Sequence, residues 1–152
     1  MQFVSDNASN YIFAGRMIEE KCPTIFWVNC APHYLNLIFK EIDGISGVCS
    51  VLECTRKVVR FVYKHQHVTD MFRAKTNGRE LKKPGVTRFA TNFLCLQSIL
   101  REEETLRYMV VSPEWRGLAP CKSKECIDIK EIIEQESFWE FGETFFVPWS
   151  LL

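Results

Sequence analysis

Chemistry in this chain would have to come from three short stretches. In Phe3-Val4-Ser5-Asp6-Asn7 a carboxylate follows a short apolar run and precedes a helix-like pattern. Carboxylates at the carboxyl ends of strands commonly hold Mg²⁺ and phosphate groups, although Asp6 could simply cap the helix that follows. In Cys30-Ala31-Pro32-His33 the Cys-x-x-His spacing could supply half of a zinc site, or a thiol beside a base. No second pair stands at finger spacing: Cys121 and Cys126 are five apart, and His65 and His67 are expected to diverge on a helix. A buried thiol and a hydrogen-bonded imidazole is therefore the simpler reading of Cys30 and His33. In Thr87-Arg88-Phe89 a guanidinium that could reach a phosphate stands beside a ring that could stack a base or sit in the core. The sequence has no Ser-His-Asp set, no Gly-rich phosphate loop and no Glu beside His33 of the metalloprotease kind.

The elements that must position these residues follow from periodicity. Residues 1–4 read as the end of a strand. Ile12, Phe13, Met17 and Ile18 recur at helical spacing from Ala8 to about Lys21, with Ser5, Asp6 and Asn7 as candidate caps. Thr24 to Val28 is a continuous apolar run, expected to be a buried strand, and Tyr34 to Phe39 lie on a second helix. This strand–helix–strand–helix opening is an α/β signature. After Gly44-Ile45-Ser46-Gly47 the character changes. Val48, Val51, Leu52, Thr55, Val59 and Val62 form one helical face, with Lys57, Arg60, Lys64 and Arg73 adding positive charge. A polar link over 76–85 leads to one long helix expected from Arg88 to Met109, with Arg101-Glu102-Glu103-Glu104 as its solvated face. Ser112-Pro113 reads as a helix start, and Ile127, Ile129, Ile132 and Ile133 suggest a last helix. Residues 138–152 are heavily aromatic without a clear period. The fold class expected is α/β plus all-α, helix-dominated overall.

Composition narrows the function classes. The 152 residues carry 19 Lys+Arg and 19 Asp+Glu, so net charge gives no global push toward nucleic acid. With 47% hydrophobic residues the chain can build a core and is not of disordered type. Seven cysteines, an odd and scattered number without a secretory signal pattern, point to reduced thiols in the cytosol or nucleus. No run reaches the roughly 20 apolar residues a membrane span needs.

The order of the motifs is more specific than any one of them. SDNASN, then FWVNCAPHYLNL, then TNGRELKKPGVTRFATNFLCLQSIL closely resembles the catalytic region of plant hAT-superfamily transposases and their domesticated relatives. The resemblance runs from Met1 to about Trp139. It implies an RNase H-like core interrupted by a helical insertion: a partial core over 1–43, the insertion over 44–137 and an aberrant aromatic tail over 138–152. Under it, Asp6 matches the family's second catalytic carboxylate and metal ligand, Cys30 and His33 match the Cys-x-x-His box near the active site, and Arg88 matches the insertion-domain Arg. Phe89 stands where many relatives carry a Trp that stabilises a flipped base; Phe can still stack, without the indole N–H.

That family cleaves and transfers DNA strands with two divalent metals, Mg²⁺ or Mn²⁺, held by three carboxylates. Only Asp6 of the three is present, so the chain is expected to be a truncated remnant, inactive alone, needing no cofactor of its own. DNA binding through Arg79, Lys82, Lys83, Arg88 and Phe89 is expected, in the nucleus if the resemblance decides and otherwise in the cytoplasm. The alternative is a domesticated nuclear module binding DNA or a protein. A third reading is a metal-dependent strand-transfer enzyme completed in trans. A protein partner or a second copy would meet an exposed apolar strand edge; no membrane and no small-molecule substrate are expected.

Overall fold

The computed structural model describes residues 1–85 and 90–146. Among them are nine α-helices and one two-stranded parallel sheet, divided into two compact units, Met1–Ile42 and Asp43–Leu152. The mixed α/β opening and the helix-dominated remainder are as the periodicities predict. No described helix is long and apolar enough to cross a membrane.

The first unit runs β1 (Gln2–Ser5), α1 (Ser9–Lys21), β2 (Phe26–Asn29), α2 (Ala31–Asp43). A parallel pair needs a crossover, and α1 supplies it. The register sets Gln2 beside Phe26 and Ser5 beside Asn29. One sheet face meets α1 through Trp27, whose indole N–H donates to Ser5 Oγ at 2.8 Å and whose ring lies so close to Gly15 that a Cβ there would overlap it. The opposite face stays open in this unit: Phe26 is 65% exposed and Val4 53%. β2 is therefore not the buried strand its unbroken apolar run predicts. With one helix against one face, burial alternates along the strand instead.

The second unit is built round α3 (Ser46–Lys64). Val48, Val51, Leu52, Thr55, Val58, Val59 and Val62 are all buried. β-branched residues are modest helix formers, so tertiary packing of this face holds the helix. Around it pack α4 (Gln66–Lys75), α5 (Ala90–Leu100), α8 (Lys124–Glu134) and α9 (Glu136–Phe146), with α6 (Glu103–Val111) and the short α7 (Pro113–Gly117) completing the bundle. Burying a side chain such as Leu52 or Ile99 contributes about 1.5–3 kcal/mol.

Four sequence expectations change in this unit. His65 is not inside a helix: it is extended (φ −116°, ψ 109°) between α3 and α4, and Thr69 Oγ1 donates back to Val62 O at 2.6 Å across the break. The long helix expected from Arg88 to Met109 divides into α5 and α6 at Arg101-Glu102. The acidic run there is not a solvated face throughout, because Glu102 is 1% exposed and fixed by arginines. The aromatic stretch expected to have no clear period is helical from Glu136 to Phe146 in α9, with Phe138 and Trp139 buried and the Trp139 indole N–H donating to Ile133 O at 2.8 Å. Ser112, in contrast, caps α7 as its Ser-Pro signature predicts, accepting from Trp115 N at 3.2 Å.

Candidate nucleic-acid interface

The parallel register of the first unit brings Asp6 and Cys30 to the same end of the sheet, one residue past Ser5 and Asn29. Asp6 Oδ1 accepts from Ala8 N at 3.1 Å, closing a turn ahead of α1, while Ala8 itself occupies the N-cap position without a side-chain cap. Cys30 N donates to Ser5 O at 2.8 Å, and the Cys30 carbonyl accepts from His33 N and Tyr34 N to open α2. The backbone roles of Cys30 and His33 thus belong to the strand-to-helix turn. Among the described residues no three His, Cys, Asp or Glu side chains converge to hold a metal ion, so they do not fit the two-metal centre that the resemblance implies.

Positive charge does converge, on the second unit. The face of α3 away from its apolar stripe carries Arg56, Arg60, Tyr63 and Lys64 at helical spacing. Opposite runs the link after α4. Its turn uses Asn77 and Gly78, both at positive φ (54° and 82°). Beyond the turn, Leu81 is buried, Tyr63 Oη donates to Leu81 O at 3.0 Å, and Lys82 N donates to Ser98 Oγ at 2.9 Å. The link is therefore pinned to α3 and α5, and Lys83 Nζ sits 4.4 Å from the centre of the Tyr63 ring. Between link and helix lies a groove of about 430 Å³, lined by Arg56, Val59, Arg60, Tyr63, Lys64, Lys83 and Pro84.

Among the described residues, four cations and no carboxylate line this groove. Two of them are partly balanced: Arg56 lies 3.9 Å from Asp43, and Lys64 lies 2.6 Å from Glu125. The hydrogen bond from Lys64 holds the Glu125 carboxyl below its ordinary value, with the charge of Arg60 adding to the effect. Arg60 makes no ion pair among the described residues. Burial pushes the Tyr63 hydroxyl up and Glu80 pushes it further, so it remains a neutral donor. Such a site can hold phosphate oxygens on its cations and offers a tyrosine ring beside them.

Of the residues expected to bind DNA, Lys83 lines the groove and Lys82 is exposed next to it. Arg79 is committed elsewhere: its Nε and Nη2 both reach the Glu102 carboxylate at 3.1 Å. Arg73 is likewise paired with Glu80. Arg88 and Phe89 lie outside the described residues. Arg56 and Tyr63 were not singled out in the sequence, and the buried Glu102 was expected on a solvated face. The 56, 60, 63, 64 spacing opposite the valine face would have found the first two.

Residues 1–58 match the family model described as "Domain of unknown function (DUF659)", a domain found in hAT-type transposase-like proteins. The match spans the first compact unit and ends within α3. No curated protein and no solved structure matches the chain.

Proposed function

We propose that this is a hAT-type, transposase-derived protein that does not cleave DNA by itself and whose helical unit binds nucleic acid in the nucleus through the phosphate backbone. The observation that carries the reading is the α3 groove, whose lining among the described residues has four cationic side chains and no acidic one. Zero net charge does not oppose it, because local charge sets the field that a phosphate meets. The ordered motifs and the match over residues 1–58 support the transposase connection. The test is fluorescence anisotropy of the whole chain on duplex DNA over a salt series. About three phosphate contacts give a slope of log K against log salt of about −3. A flat salt response would remove the reading.

A second reading, a protein-interaction module, is favoured by one observation, the open apolar sheet face with Val4 and Phe26 exposed. Light scattering of wild type against Phe26→Ser tests it. Self-association that the substitution abolishes supports it, and a monomer at all concentrations opposes it for a second copy of this chain.

A further inference from the structure

A different feature of the second unit bears on redox chemistry. Cys121 lies in the short 3-10 turn Ala119–Lys122, and Cys126 lies in the first turn of α8. Ser123 between them caps α8, its Oγ accepting from Cys126 N at 3.2 Å, which folds the two cysteines back toward one another. Both cysteines line one cavity of about 280 Å³, together with Trp115, Arg116 and Lys130. Cys126 is 1% exposed and Cys121 is partly exposed, so one thiol of the pair is reachable and the other is held behind it.

We propose that Cys121 and Cys126 are a modification site, forming an intramolecular disulfide with a peroxide and so latching the 3-10 turn to α8. Peroxide oxidises the partly exposed Cys121 to a sulfenic acid, releasing one water. The Cys126 sulfur then attacks, the S–O bond breaks as the S–S bond forms, and a second water leaves with the Cys126 proton. Two thiols and one peroxide thus give one disulfide and two waters. Burial pushes the Cys121 thiol up to about 12, with Cys126 adding to the effect, and burial raises Cys126 as well. Formation at neutral pH is therefore slow, because the thiolate is scarce. The disulfide is slow to reduce for the matching reason, that a high-pKa thiol is a poor leaving group. Glu125, next to Cys126, holds Lys64 of the groove, so the latch fixes the turn that carries this contact.

The test treats the folded chain with hydrogen peroxide, then unfolds it, alkylates free thiols and digests it with trypsin. The expected product is a disulfide joining the peptides that span 117–122 and 125–130, absent from Cys121→Ser. Exposed Cys22 serves as the internal reference for oxidant exposure. The proposal is overturned if both cysteines still alkylate after Cys22 has been consumed, if either joins another cysteine, or if Cys121 proceeds to the sulfinic acid. Because wild type alone decides this, a folding defect in the variant does not blur the result.

Discussion

Arg79 grips Glu102 with two nitrogens, Nε and Nη2, each 3.1 Å from a carboxylate oxygen, although the arginine side chain is 58% exposed and the glutamate 1%. The pair joins the link to the break between α5 and α6, and Arg101 Nε adds a third contact at 3.3 Å. Because burial is one-sided, the two ends of the contact are not equivalent. Glu102→Gln returns two exposed guanidiniums to water and is expected to cost about 1 kcal/mol. Arg79→Ala with Arg101→Ala strands a buried carboxylate and is expected to cost about 3–5 kcal/mol. Urea denaturation of both variants checks the order, and equal losses would contradict it.

The aromatic helix α9 is anchored in the core by Phe138 and Trp139. Trp139→Ala removes a fully buried ring and its bond to Ile133 O, and should cost about 3–5 kcal/mol. A truncation-like tail would instead tolerate the change within about 0.5 kcal/mol. Thermal and urea unfolding both read the difference.

These two features show what the sequence made legible. The valine face of α3 was plain, because apolar spacing reports burial directly. Ser112 was equally plain, since Ser-Pro before Glu-Trp fits a local rule that needs no tertiary context. Glu102 was not, because its burial depends on Arg79 arriving from a distant link. Up to Phe146 the helix was missed because aromatic residues at 138, 139, 141, 145 and 146 do not fall on one face and so mask a helical period. For the groove, the cations were visible but their convergence was not: Lys83 joins Arg60 only because Leu81 and Tyr63 pin the link to α3.

Glu125 gives a pH signature. Its carboxyl lies below the ordinary 4.5, chiefly through the Lys64 hydrogen bond. A depressed folded value means that the pair's stabilisation is present above about pH 4.5 and fades as pH falls through the lowered value. Lys64→Met should move the Glu125 titration upward toward its ordinary range, followed by the side-chain carboxyl carbon in NMR. No movement would mean that the contact is not held in solution.

Asp6 is expected to act as a turn former. Asp6→Asn keeps an acceptor for Ala8 N and should leave stability within about 0.5 kcal/mol, whereas Asp6→Ala should cost about 0.5–1.5 kcal/mol. Titration of Mg²⁺ or Mn²⁺ by calorimetry should give the same weak heats for wild type and Asp6→Ala. Tight binding lost with Asp6 would mean that further ligands complete a metal site around it.

The groove is the centre of the account, and charge reversal within it is the most direct measurement. Arg60→Glu places a carboxylate among Arg56, Lys64 and Lys83, while Lys40→Glu makes the same charge change on an exposed residue of α2. Measured side by side on duplex DNA at 0.1 M salt, Arg60→Glu should weaken binding by roughly tenfold or more, the loss of at least one phosphate contact. Lys40→Glu should stay near wild type. Equal affinities for the two variants would contradict the claim that this groove is where nucleic acid binds.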